Sequence, residues 1–291
     1  MCIRDRRNSY EWLSEVVSDD ASLSVLDLAC GSGPLLKILF DRNKNLNLKG
    51  IDMCPEELVL AKTRLKNSGV NLIESKAQNL TAINDNSIDI VLCHWALTLM
   101  DPIVPVLDEV KRVLTSEGQF AALVDGPMNA ASGYAEVHDL IYSYVQEEIP
   151  SYGEIDLGDP RIRGSESLSN LAHKAFPEAS VTIETNVVSM EGPVTKVAEI
   201  ASGFFYAAFI LKPEKRKLMI KNLSNKNSFN LQDNIAITLI NDYIEIEKIY
   251  QHNLFRENFI PSSGNKIVKK NNCVKRDLNL WQISSDNFIQ I

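Results

Sequence analysis

The sequence predicts an α/β protein with a doubly wound, mostly parallel sheet. Two observations carry this prediction: short apolar runs alternate with helix-like segments through the first half of the chain, and a glycine turn follows the first run. Strands that alternate with helices are joined by crossover connections. These connections make the strands parallel and place helices on both faces of the sheet.

The strands of the first half are predicted from short apolar runs. Between them, Pro34 and Pro55 each suit the first turn of a helix, because proline lacks an amide that would need a partner there. Apolar residues at helical spacing follow both prolines, and another apolar stripe runs through 106–114. The predicted strands are 25–29, 48–52, 71–74, 88–93 and 119–124.

The second half of the chain has a less regular pattern. Apolar stripes predict helices over 133–148 and 168–176, and the apolar and aromatic segment 194–211 is also predicted to be helical. Apolar and polar residues alternate over 180–190 and again over 235–246. This alternation indicates two strands, which we expect to pair antiparallel.

Composition and charge narrow the class of protein. The 291 residues are 45% hydrophobic and 23% charged with a net charge of −8, which indicates a globular chain and disfavours binding to nucleic acid or an anionic membrane. The charge is uneven, because six basic and three acidic residues give 249–291 a charge of +3 and leave −11 before them. The five cysteines form no C-x-x-C pair, so we expect no zinc site and a reducing, cytoplasmic location.

Two features at the ends of neighbouring strands predict a nucleoside-binding site. The first strand runs into the turn Cys30-Gly31-Ser32-Gly33, whose glycines let the backbone approach a ligand closely. Asp52 ends the next strand, and an acid in this position accepts hydrogen bonds from ribose hydroxyls at the crevice where the strand order reverses. Together they indicate a cofactor that contains a ribose.

The glycine turn does not suit a dinucleotide. A pyrophosphate-binding turn has the pattern G-x-G-x-x-G, whereas Leu36 stands where the last glycine would be. The first strand also contains Asp27, whose charge would repel a pyrophosphate but attract an ammonium group. An NAD-linked oxidoreductase is therefore disfavoured. S-adenosylmethionine (SAM), which carries an ammonium group and no phosphate, fits better.

With these motifs the sequence resembles the class I SAM-dependent methyltransferases, in particular the broad small-molecule group of the methyltransferase type 11 kind. The resemblance is close over 20–125 and looser over 126–248. It implies a Rossmann-like, mostly parallel sheet of seven strands with helical lid insertions after the fifth and sixth strands. It also implies methyltransferase activity with SAM as the cofactor.

The resemblance also assigns cofactor-binding roles to individual residues. Residues 27–33 resemble the motif that wraps the methionine part, Asp52 resembles the acid that binds the ribose, and Met53 would pack on adenine. Residues 77–80 resemble the segment that lines the adenine pocket, but Lys76 stands where the family has an acid. The implied cofactor-binding residues are Asp27, Ala29, Cys30, Gly31, Gly33, Asp52, Met53, Ala77, Gln78 and Cys93.

The segment after the fourth strand resembles the motif that faces the transferred methyl group. His94 is the candidate catalytic residue, either as a general base, for which a near-neutral pKa is suited, or to orient the acceptor. Trp95, Tyr134 and His138 are the candidate substrate-binding residues. A packed, structural role is the alternative interpretation for His94 and His138.

The expected domain organisation is one domain with two ends outside it. The first six residues resemble a scar of translated shotgun assembly, and the last 43 are rich in Asn, Lys and Ser. The expected divisions are an N-terminal segment at 1–19, a methyltransferase domain at 20–248 with a lid at 127–176 and a helical insertion at 193–226, and a basic tail at 249–291.

The function expected from these features is methyl transfer to a small, partly apolar acceptor by in-line displacement, which depends mainly on positioning. The alternatives are an RNA or protein methyltransferase and a SAM-binding protein that does not methylate. The −11 charge, and Cys93-His94-Trp95-Ala96 in place of an Asn/Asp-Pro-Pro-Tyr/Phe motif, disfavour methylation of adenine in RNA. We expect neither a metal site nor membrane contact.

Overall fold

The computed structural model describes residues 9–19, 22–125, 134–153, 158–203, 205, 207–225 and 234–248. All of them fall within one compact unit, Met1–Tyr250. Within these ranges no helix combines the length and apolarity that a membrane span needs. The expectations for residues 1–6 and for the basic tail lie outside the described residues.

The described strands form one seven-stranded sheet. They are β1 Ser24–Leu28, β2 Asn47–Asp52, β3 Asn71–Glu74, β4 Ile88–His94, β5 Leu114–Asp125, β6 Ala179–Pro193 and β7 Asn234–Lys248, in the order β3-β2-β1-β4-β5-β7-β6. Neighbours among β1 to β5 pair parallel, whereas β7 pairs antiparallel with both β5 and β6. The predicted mostly parallel sheet is confirmed, and so is the antiparallel pairing of 180–190 with 235–246.

The helices follow the strands in the predicted alternation. Pro34 and Pro55 stand at the starts of α2 and α3, as the sequence predicts. The segment 194–211 forms two helices instead of one continuous helix. The described helices are α1 Ser9–Ser14, α2 Pro34–Arg42, α3 Pro55–Arg64, α4 Ile103–Val113, α5 Tyr134–Gln146, α6 Ser165–Ala175, α7 Val194–Ser202, α8 Ala207–Ile210 and α9 Pro213–Asn225.

Side chains that alternate along the strands fill two cores, one on each face of the sheet. In β5, Phe120 and Ala122 belong to the core that α4 and α6 cover, while Ala121 and Leu123 belong to the core that α1, α2 and α3 cover. This two-residue alternation is the pattern of a sheet buried on both faces. Helices therefore cover both faces of the sheet, as a doubly wound fold requires.

The N-terminal helix is part of the fold. We expected residues 1–19 to lie outside the domain, but Leu13 is fully buried and Val17 is 2% exposed in the core with β1 and α2. The Arg42 guanidinium donates to the carbonyl oxygen of Ser14 at 2.9 Å and so ties α1 to α2. The described domain therefore begins by Ser9.

A third core lies among α5, α7, α8 and α9, which we call the helical cluster. Val137, Ile141 and Val145 of α5 pack against apolar residues of α7 to α9. By contrast, α6 packs on the sheet. The expected lid at 127–176 therefore contributes to two different cores, since α5 belongs to the helical cluster and α6 to the core on the sheet. That the lid covers the cofactor cleft stays a prediction.

Candidate functional site

The carboxyl ends of β1, β2 and β3 border an open cleft of about 420 Å³. It lies where β2 and β4 flank β1 on opposite sides, the switch point at which doubly wound sheets bind ligands. The lining is mainly apolar, with three charged side chains. The lining residues are Ala29, Ile51, Asp52, Met53, Ser75, Lys76, Ala77, Gln78, Leu99, Met100, Asp101, Pro102 and Pro105.

The turn after β1 has the left-handed backbone that its glycines allow. Ala29, Gly31 and Gly33 have φ angles of +59°, +51° and +75°. A non-glycine residue in this region costs about 1–3 kcal/mol, and such residues cluster at functional sites. Trp95, directly after β4, has a φ of +56°. A non-glycine residue with a left-handed backbone therefore follows each of the two central strands, β1 and β4, at the edge of the sheet where the cleft lies.

Asp52 is held in place by two backbone amides. Its carboxylate accepts hydrogen bonds from the amide of Gly31 at 2.7 Å and from the amide of Cys54 at 2.8 Å, and the residue is only 8% exposed. The first bond links the end of β2 to the glycine turn after β1. Because each carboxylate oxygen has a further lone pair, Asp52 can still accept hydrogen bonds from the hydroxyl groups of a ligand in the cleft.

Two more acids accompany Asp52 near the glycine turn. Asp27 is 2% exposed, and burial, with the charge of Asp52 added, raises its pKa well above the usual range. The pKa of Glu57 on α3 is raised as well, first by burial and then by Asp52. A cationic ligand at the turn would favour the ionised forms of these acids, whereas a pyrophosphate would oppose them, so the preference for a cation stays a prediction.

Sequence reasoning missed Glu57 and the arginine that fixes the turn. Arg64 on α3 donates from Nη1 to the carbonyl oxygen of Ser32 at 2.8 Å and to its Oγ at 2.9 Å. Glu57 and Arg64 lie seven residues apart, and that helical spacing is the only signal that could have placed them on one side of α3.

A second arginine fixes the segment that follows β3. Arg112 on α4 donates to the carboxylate of Glu109, to the carbonyl oxygen of Leu80 at 2.9 Å and to that of Ile83 at 3.0 Å. The Arg112 bond also holds the pKa of Glu109 below its usual range. These contacts anchor the loop that carries Lys76, Ala77 and Gln78 into the cleft.

His94 ends β4 and is enclosed by α1. Its Nε2 lies 2.9 Å from the Oγ of Ser9, and its ring stacks on Tyr10 with centroids 3.7 Å apart. Burial lowers the pKa of His94 to about 3. The expectation of a near-neutral pKa is therefore wrong, and the imidazole is neutral and a weak base at physiological pH.

The structure brings only some of the predicted cofactor-binding residues to the cleft wall. Those that line it are Ala29, Asp52, Met53, Ala77 and Gln78. Asp27, Cys30, Gly31 and Gly33 lie in β1 or the glycine turn without lining the cleft, and Cys93 is buried in the core, where burial raises its thiol pKa to about 12. The walls formed by Ser75, Asp101 and residues 99–100, 102 and 105 were not predicted.

The candidate substrate-binding residues lie on different elements. Trp95 follows β4, and His138 on α5 stacks on Tyr142 with centroids 3.9 Å apart and contacts Asp139 at 3.0 Å. The backbone of Tyr134 begins α5, but its side chain lies outside the described residues. Substrate contact by these three residues stays a prediction.

Comparison with known proteins agrees with this geometry. Residues 26–122 match the family model described as a methyltransferase domain. The malonyl-(acyl-carrier protein) O-methyltransferase 2 of Coxiella burnetii is 32% identical over 91 residues, 30% of this chain and 36% of that protein. The demethylmenaquinone methyltransferase of Thermotoga maritima is 28% identical over 46% of this chain and 56% of that protein. The chain thus spans between a third and three fifths of these relatives.

The fold is shared with solved structures of low sequence identity. The YcgJ protein from Bacillus subtilis is 16% identical and superposes with a TM-score of 0.57, over 82% of this chain and 97% of that chain. At this identity the likeness establishes the fold alone.

Proposed function

We propose that the chain is a class I SAM-dependent methyltransferase that binds SAM in the cleft and methylates a small, partly apolar acceptor, a proposal that the match of residues 26–122 to a methyltransferase domain supports. The observation that carries the proposal is the fixed carboxylate of Asp52 at the switch point, beside the acidic glycine turn. When bound, SAM supplies an activated methyl group for in-line displacement. The acceptor and the activity of the whole protein belong to this proposal.

The residues around the cleft fit the parts of this cofactor. Asp52 would hold the ribose hydroxyls, because its carboxylate is oriented by two amides and borders the cleft. Asp27 and Glu57 would attract a sulfonium and an ammonium group, because a cation bound beside them favours their ionised forms and offsets the burial that raises their pKa values. Ala29 and Gly31 let the backbone come close to the methionine part, and Met53 offers an exposed apolar surface to the base.

The proposed role of His94 is to position the acceptor. A neutral imidazole held between Ser9 and Tyr10 has a fixed direction but a low affinity for a proton. Methyl transfer needs mainly alignment of the nucleophile with the methyl group and exclusion of water, so a strong base is not required when the acceptor ionises readily.

The names of the two curated relatives give different acceptors. One is named for a malonyl group on an acyl-carrier protein and the other for demethylmenaquinone. The cleft walls are mainly apolar, and Leu99 and Val104 are about half exposed beside it. A partly apolar acceptor is consistent with these surfaces.

Isothermal titration calorimetry with S-adenosylhomocysteine tests the cofactor site without knowledge of the acceptor. We expect the wild-type chain to bind, and Asp52→Ala to weaken binding about a hundredfold, since each lost hydrogen bond to a charged group costs about 1.5 kcal/mol. Asp108→Ala, on the exposed face of α4, is the matched control and keeps wild-type affinity. Equal affinity of the Asp52 variant and the wild type would refute the assignment.

A further inference from the structure

The outer part of the cleft is bordered by residues 75–78, which follow β3. The sheet order β3-β2-β1 places the segment after β3 on the far side of Asp52 from the glycine turn. If the ribose is bound at Asp52, as the proposed function requires, the base extends towards residues 75–78. This part of the cleft therefore determines which base the protein accepts.

The walls of this outer part are apolar and suit the faces of a ring. Met53 is 65% exposed on one side, and Leu99 and Met100 line the cleft from the segment after β4. Such surfaces stack on any purine, because they make no hydrogen bonds. Selectivity among purines therefore depends on the polar groups at the edge of the ring.

Few polar side chains are available at that edge. Ser75 donates its hydroxyl to the carbonyl oxygen of Asn79 at 2.6 Å, so its proton is already used. Gln78 can both donate and accept, so it imposes no preference. Lys76 can only donate, and Asp101 on the facing segment can only accept when it is ionised.

We infer that Lys76, which lines the outer part of the cleft, faces the purine edge that carries position 6 and makes the site tolerant of the group at that position. An ammonium donates to an oxo group at that position but has no bond to offer an amino group, which is itself a donor. The protein therefore binds S-inosylhomocysteine about as well as S-adenosylhomocysteine. This inference rests on the proposed function, because it takes the cleft as the cofactor site.

Calorimetry with both ligands tests the inference on the full chain. We expect the two dissociation constants of the wild type to agree within about threefold. Lys76→Met keeps the aliphatic stem but removes the donor, so it weakens the inosyl ligand about tenfold, the value of one hydrogen bond to a charged group, and leaves the adenosyl ligand within twofold. Lys76 is exposed, so the variant keeps its fold.

Two further variants define the controls. Lys66→Met removes an equivalent charge from an exposed position outside the cleft lining and leaves both affinities unchanged. Asp101→Asn tests whether the carboxylate on the facing segment determines the ratio of the two affinities. If the ratio of the two affinities responds to Asp101→Asn but not to Lys76→Met, the inference is wrong and Asp101 reads the base.

The possible failures can be told apart. Strong discrimination against the inosyl ligand in both the wild type and Lys76→Met, with tight binding of the adenosyl ligand, refutes the role of Lys76 and leaves the proposed function intact. If neither ligand binds the wild type, the proposed function fails, and the inference fails with it.

Discussion

The cofactor cleft and the helical cluster differ in what holds their side chains in place. Around the cleft, Asp52, Arg64 and Arg112 are fixed by hydrogen bonds to backbone groups of other segments. In the helical cluster, fully buried residues such as Ile141 and Met219 belong to an apolar core. Polar groups that are fixed before binding favour affinity for one ligand, whereas apolar packing chiefly provides stability.

The two regions also differ in how their charged groups affect the stability of the fold. The acids at the glycine turn oppose one another, since Asp52 adds to the burial that raises the pKa of Asp27 and of Glu57. In the helical cluster, burial lowers the pKa of Arg216 on α9, whereas the apolar residues of the core carry no charge. The acids at the glycine turn therefore lower the stability, while the apolar core of the cluster adds to it, and we expect that each region can be changed separately.

The largest expected effect is on the helical cluster. Ile141→Ala should lower the free energy of unfolding by about 2–4 kcal/mol, because it leaves a cavity at a fully buried site. The affinity for S-adenosylhomocysteine at a temperature where the variant is folded should stay within twofold. Chemical denaturation and calorimetry measure the two effects.

Ile149→Ala provides the matched control for this experiment. Ile149 follows α5 and is 40% exposed, so its truncation should cost less than about 1 kcal/mol. A tenfold loss of cofactor affinity in Ile141→Ala would show that the cluster and the cleft are coupled, contrary to the comparison.

The next effect is a pH dependence of stability that arises from His94, at the end of β4. Its folded-state pKa of about 3 lies below the unfolded value, so its stabilisation is complete above about pH 6.5 and is lost as the pH falls towards 3. Between pH 7.5 and pH 5 the wild type should lose about 2 kcal/mol more than His94→Asn does. Urea unfolding at a series of pH values measures this difference.

His173→Asn is the control, because His173 is exposed on α6 and should leave the pH dependence unchanged. Equal pH slopes for His94→Asn and the wild type would contradict the burial of His94 beneath α1.

The smallest expected effect tests whether the buried acids at the glycine turn lower the stability. The raised pKa of Asp27 means that its stability contribution is present at low pH and is lost as the pH rises through that pKa. Asp27→Asn should therefore raise the melting temperature at pH 7, with the gain disappearing towards pH 4. It should also weaken S-adenosylhomocysteine about tenfold. A variant that is less stable than the wild type at pH 7 would be inconsistent with this account.

Local patterns were sufficient to predict the parts of the site that lie within one strand–turn–helix unit. The glycine turn, Pro34 at the start of α2 and Asp52 at the end of β2 are readable because each depends on residues adjacent in sequence. The antiparallel pair β6–β7 was also predictable, since alternation over both segments is a periodic signal.

Contacts between distant segments were not predictable from the same patterns. Burial lowers the pKa of His94, whose ring contacts Ser9 and Tyr10, about 85 positions away in the sequence, on a helix that we expected to lie outside the domain. The grouping of α5 with α7 to α9 likewise depends on tertiary packing, which one amphipathic stripe cannot specify.

The most direct test of the central claim is a crystal structure of the full chain with S-adenosylhomocysteine. The account predicts that the ribose hydroxyls contact the Asp52 carboxylate, with the amino group of the ligand on the Asp27 side of the glycine turn and the base beyond Asp52 towards residues 75–78. A ligand bound away from this cleft, or in the cleft with its base at the glycine turn, would contradict it.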